Sequence, residues 1–110
     1  MVVLISIDGM RPDALAQAAT PHIRQLINDG AYTPHARSVM PSITLPCHTS
    51  MMRGVDVPRH GITSNIFTPL ARPVPSVFDT VKAAGLRTAM YYNWPELRDL
   101  AAPGSVDVSV

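Results

Sequence analysis

Proline sets the first limit on how this chain can fold. Eleven prolines in 110 residues are many, and they cluster between Pro34 and Pro75. A proline has no backbone N–H to give to a ladder or a helix interior, so the middle of the chain is expected to be rich in loops. Proline is harmless in the first turn of a helix, where the N–H would be unpaired anyway. Pro12, Pro21 and Pro46 each precede a helix-compatible run, which marks three expected helix starts.

Between these points the apolar pattern alternates in kind. Val2 to Ile7 is a continuous apolar run broken only by Ser6, and reads as a strand covered on both faces, stopped by Asp8-Gly9. A short helix is expected from Pro12 to about Ala19. A second opens at Thr20-Pro21 with Thr20 as N-cap, carries Ile23, Leu26 and Ile27 on one face and closes at Gly30. Ala31 to Val39 reads as extended, with His35 and Arg37 on a solvated edge. Val55 to His60 reads as a loop ending at Gly61, and Ile66 to Pro75 as irregular. Ser76 to Ala84 is amphipathic, with Gly85 as its stop. Leu86 to Tyr92 reads as a second strand, Glu96 to Leu100 as a short helix, and Val106 to Val110 as a further strand. Strands alternating with helices predict an α/β fold, a three-layer α/β/α sandwich around a mainly parallel sheet. The sandwich is expected to be incomplete, because so few short helices cannot cover that much apolar strand.

Composition narrows the function. Apolar residues make up 46% and charged residues 15%, which suits a packed core rather than disorder. The net charge of +1 gives no electrostatic basis for nucleic-acid or membrane-surface binding. The lone Cys47 excludes an internal disulfide and fits a reducing, cytoplasmic setting. The first residues lack a basic n-region and are cut by Asp8, so they read neither as a signal peptide nor as a membrane span. An exposed sheet edge leaves self-association open.

The stretch from Met40 to Asn65 carries the candidate chemistry. Thr44 stands just before Leu45-Pro46, at or near the start of a helix that runs to Arg53 and ends at Gly54. A helix N-terminus favours an anion. A threonine there can cap the helix or attack a bound phosphoryl group, and local sequence leaves both open. Asp8, at the tip of the first expected strand, is either a turn residue or a ligand-binding carboxylate.

Three segments in order resemble the N-terminal part of the nucleotide pyrophosphatase/phosphodiesterase branch of the alkaline phosphatase superfamily. They are IDGMRPD from Ile7 to Asp13, the proline- and threonine-bearing segment from Pro41 to His48, and HGITSN from His60 to Asn65. The resemblance implies that residues 1–110 are the N-terminal portion of a single alkaline-phosphatase-like catalytic domain. It implies a hydrolase of phosphodiester or nucleotide substrates that uses two divalent ions, zinc by expectation. Asp8 matches a carboxylate metal ligand. Thr44 matches the nucleophile, which also binds metal, and Asn65 matches the donor to a non-bridging phosphoryl oxygen. A metal-acidified hydroxyl, two ions across the attacking and leaving oxygens, and a fixed amide dipole form a coherent set.

The resemblance places the other metal ligands in an Asp-xxx-His pair, an Asp-His pair and a further His. We expect none of these within the 110 residues, so the chain reads as a fragment or truncated copy that bears the nucleophile without a competent metal site. His48 is expected to pack or to support Thr44 from one helical turn away, Cys47 to be a small buried side chain, and His60 to shape its loop. Trp94 reads as core or rim. A non-catalytic binding or assembly module is the alternative. A sulfatase-like reading is disfavoured by Thr44, because the resemblance to sulfatases would require Cys or Ser at that place.

Overall fold

The computed structural model describes residues 1–70 and 72–110. Contacts divide the chain into two compact units, Met1–Arg37 and Ser38–Val110.

The first unit holds α1 (Pro12–Gln17) and α2 (Pro21–Asp29), each with proline in its first turn as expected. The Arg11 guanidinium grips the Asp13 carboxylate at 2.6 and 3.1 Å, an exposed pair whose attraction solvent largely screens. The end of α1 is tied down by α2: Arg24 donates to the carbonyls of Ala16 and Ala18 at 2.8 and 3.2 Å, partnering oxygens that a helix end leaves without intrahelical bonds. Thr20 caps α2 only through its carbonyl, which accepts from the Arg24 N–H at 3.0 Å. Its side chain makes no cap bond, and among the described residues its buried Oγ1 has no hydrogen-bond partner. Gly30 ends α2 as expected, but in an extended conformation.

Two expected strands are not formed here. Residues 2–7 and 31–39 carry no regular element; Val2 is 96% and Ile5 74% exposed. The reason is that a strand is made by its neighbour. Apolar, β-branched residues favour extended backbone, but ladder bonds require a second strand alongside, and the sheet among the described residues consists of two other segments.

The second unit contains the core. α3 (Thr44–Arg53) buries Leu45, His48, Thr49 and Met52, the i, i+3, i+4, i+7 face of an amphipathic helix. Leu45, Met52, Ile62 and Leu100 form the buried cluster, with Phe67, Leu70, Phe78, Met90, Trp94 and Leu97 packed against it. Trp94 is thus the core-flanking residue expected. Gly54 ends α3 with φ of 65°, and its N–H returns to the Ser50 carbonyl at 2.8 Å. The segment read as a loop from Val55 to His60 contains one helical turn, α4 (Val57–His60), closed by Gly61 in the same left-handed conformation. Arg53 reaches from the end of α3 to the carbonyls of Val74 and Leu100, which pins the irregular proline-rich stretch to the core.

α5 (Val77–Ala83) starts with a complete capping box: the Ser76 Oγ accepts from the Asp79 N–H, while the Asp79 carboxylate accepts from the Ser76 N–H at 2.6 Å. β1 (Ala89–Met90) and β2 (Val108–Ser109) pair in parallel, Ala89 opposite Val108 and Met90 opposite Ser109. A 3-10 helix (Pro95–Leu100) lies between them in sequence. Asp107 binds the Lys82 ammonium and accepts the Thr88 N–H at 2.8 Å, joining α5 to the sheet. Helices with a parallel pair make the chain α/β, and the strands are shorter than the runs that predicted them. No helix among the described residues is long and apolar enough to cross a membrane.

Candidate active site

The N-terminus of α3 is built by two segments far apart in sequence. Ile43 is the N-cap, extended at φ −123° and ψ 153°, with no side-chain cap of its own. Thr44 is therefore the first helical residue and is half-buried. The N–H of Leu45 needs a partner outside the helix. It donates to the Asn65 Oδ1 at 2.9 Å, across twenty residues of chain. This bond assigns the amide's orientation, with Oδ1 on the helix N-terminus and the two Nδ2 donors on the same planar group beside the first turn.

The structure thus brings together Thr44 and Asn65, two of the three residues singled out from sequence. Asp8 belongs to the first unit, where its Oδ1 accepts the Gly9 N–H at 2.8 Å and Gly9 takes φ of 70°. That is the turn geometry, one of the two readings left open for Asp8.

Supporting residues surround α3. The His48 Nδ1 donates to the Thr44 carbonyl at 2.8 Å, the only polarity a carbonyl permits, so His48 braces the residue one turn before it. Thr49 does the same for Leu45, its hydroxyl donating to the carbonyl at 2.7 Å. Cys47 is a half-buried free thiol lying 3.9 Å from the carbonyls of Val39 and Pro41.

One expectation needs correcting. Asp56 to His60 does carry the Asp-xxx-His spacing. It does not form a metal pair, because the His60 ring is already committed. His60 is 2% exposed; its Nδ1 accepts the Ile62 N–H at 3.0 Å and its Nε2 lies 2.9 Å from the Ser50 Oγ. Burial, and then the charge of Arg53, hold the His60 pKa below its ordinary value; Asp56 works in the opposite direction. Among the described residues no group of three or more His, Cys, Asp or Glu could hold a metal ion. The residues present do not make a bimetal site by themselves.

Sequence reasoning missed two features. Asn65 serves as a remote partner for the Leu45 N–H, and Ser50, His60 and Ile62 are linked through one imidazole. The His-Gly-Ile run was the available signal for the second, since Gly61 must turn the chain back for the Ile62 N–H to meet its neighbour's ring.

An α/β chain thus presents a threonine and an amide at one helix N-terminus. The comparisons give the family: the chain belongs to the type I phosphodiesterase / nucleotide pyrophosphatase family, whose model matches residues 2–105. It is 38% identical to an uncharacterized pyrophosphatase/phosphodiesterase of Schizosaccharomyces pombe over 60% of this chain and 14% of that protein. It is 34% identical to the bis(5'-adenosyl)-triphosphatase ENPP4 of Homo sapiens over 58% of this chain and 14% of the relative. A match at 28% identity to ectonucleotide pyrophosphatase/phosphodiesterase family member 3 of Mus musculus covers 94% of this chain. The matched part spans 14% of the length of each of these relatives. No solved structure gives a significant match.

Proposed function

We propose that this chain is the nucleophile-bearing part of a hydrolase that cleaves phosphodiesters or nucleotide pyrophosphate bonds. The observation that carries the reading is the Asn65 amide seated on the Leu45 N–H, one residue from Thr44. A phosphoryl group at this helix end meets a hydroxyl for attack and an amide donor for one of its oxygens. In the proposed step the Thr44 Oγ1 forms the new bond to phosphorus as the bond to one ester oxygen breaks, and the hydroxyl proton passes through solvent to that departing oxygen. Water then cleaves the bond between Thr44 and the phosphoryl group, which releases the monoester and restores the hydroxyl.

Divalent ions, two and of zinc type on the family reading, would supply the acidity that a threonine hydroxyl lacks at neutral pH. Asp8 and Thr44 are the ligands this chain would contribute. The donor set here does not complete such a site, so no step is assigned to an ion. The three-layer sandwich, with residues 1–110 as the start of one catalytic domain, belongs to the same proposal.

The test is turnover of an aryl phosphodiester by the whole protein in the presence of a divalent ion. Thr44→Ala is expected to abolish it, and mass spectrometry of acid-quenched reactions should find the substrate's phosphoryl group, with its remaining ester, on Thr44. Asn65→Ala should lower kcat by roughly a hundredfold or more, the scale for losing one donor to a developing charge. Retained turnover in Thr44→Ala removes Thr44 from the mechanism. The incomplete donor set favours a second reading, a non-catalytic binding module. Substrate binding without turnover at any divalent-ion concentration would establish that reading instead.

A further inference from the structure

The segment that delivers Asn65 is fastened to α3 at both ends. At its far end the Asn65 Oδ1 accepts the Leu45 N–H. At its near end stands His60. Its Nδ1 accepts a backbone N–H, so the ring proton is on Nε2 and points to the Ser50 Oγ. This polarity also shows that Ser50 and His60 are not a nucleophile and its base, because a base would need its lone pair on Nε2. Ser50 and Leu45 lie on one helix, about 7.5 Å apart along its axis. Between the two fastenings Ile62 is 1% exposed and anchored in the core. Residues 61–65 are thus a strap across α3.

We propose that His60 is a positioning residue: by bridging Ser50 and the Ile62 amide, its imidazole sets the strap that holds Asn65 at the N-terminus of α3. The consequence for phosphoryl transfer rests on the roles proposed above for Thr44 and Asn65, whereas the strap can be tested without them. The charged groups acting on the ring are Arg53 of α3, which opposes a proton, and Asp56 of the α3–α4 turn, which favours one. Arg59, next in sequence, donates instead to the Arg72 carbonyl at 3.2 Å. A proton added to Nδ1 confronts the Ile62 N–H donor-to-donor, so the link from the ring to the strap is lost while the Nε2–H bond to Ser50 stays. Linkage is reciprocal: if protonation loosens Asn65, then removing Asn65 must make His60 easier to protonate.

The experiment is a nitrogen-15 NMR titration of the 110-residue chain from about pH 8 to about pH 5, the range in which histidine changes charge. The Leu45 and Ile62 amides are expected to shift with the midpoint of the His60 ring. Leu45 amide exchange, corrected for intrinsic pH dependence, should rise at least about tenfold, a loss of roughly 1.4 kcal/mol of protection. The Asp79 amide, held by the Ser76 cap, should not follow. Asn65→Ala should raise the His60 midpoint. His60→Gln should show the loosened Leu45 amide at every pH; if that variant does not fold, the wild-type titration and Asn65→Ala still decide. An unchanged His60 midpoint in Asn65→Ala overturns the proposal. So does an Asp79 amide that moves together with Leu45, which would make His60 a general support of the fold. Neither outcome depends on whether Thr44 is a nucleophile.

Discussion

Protonating His60 at Nδ1 costs the second unit the bond from the Ile62 N–H, and its effect on overall stability has a definite sign. The His60 pKa lies below its ordinary value of 6.5 because the ring is buried and faces Arg53. The unfolded chain therefore takes up this proton before the folded one does, and stability falls as pH drops below 6.5. Asp79 acts in the same direction further down. The Ser76 backbone N–H, the largest influence, holds its carboxyl below 3.8, so its contribution is complete above that value and is lost as pH falls through the lowered one. Urea midpoints should be lower at about pH 5.5 than at about pH 7.5, the first step of this loss. Equal midpoints would mean that His60 titrates as an exposed histidine. At this scale the sequence was partly legible. Thr44 was placed at a helix start by Pro46 and Gly54, both local signals. The bond from the Leu45 N–H to Asn65 spans twenty residues, and nothing local to either residue announces the other.

The elements divide by how their bonds are made. Helices close their hydrogen bonds within a few residues, so the signals that predict them sit inside them. Pro12, Pro21 and Pro46 lie in first turns, Ser76 and Asp79 form a capping box, and Gly54 ends α3. Strands close theirs against another segment. The apolarity of Val2 to Ile7 says that these residues favour cover, and says nothing about what supplies it. The same contrast explains why Leu86 to Tyr92 narrows to Ala89–Met90, the two residues that meet a ladder partner in β2. Gly54 gives the clearest test of an element-level signal. Its φ is 65°, and a Cβ built there meets nothing within 4 Å. Gly54→Ala should therefore cost about 1 kcal/mol through backbone conformation alone, with no clash to relieve. Chemical denaturation would read this as a lower midpoint with an unchanged slope. An unshifted midpoint would show that the left-handed turn is not what ends α3 in solution.

Burial is unevenly shared over the whole molecule. Neither α1 nor α2 contains a buried residue, while the buried cluster of α3, Ile62 and Leu100 lies in Ser38–Val110. Local opening costs least where few apolar contacts and no internal backbone bonds must be broken. Amides of residues 2–5 should therefore exchange close to their intrinsic rates. Those in the buried turns of α3, around Thr49 and Met52, should be the slowest. Hydrogen–deuterium exchange on the 110-residue chain measures both in one experiment. The two outcomes separate two physical pictures of the same apolar run. Fast exchange at residues 2–5 means that these side chains wait for a neighbouring strand, and that the candidate site at the start of α3 is held by the second unit's own core. Protection at residues 2–5 as strong as in α3 would mean that they are already paired in solution, with Asp8 at the end of a formed strand.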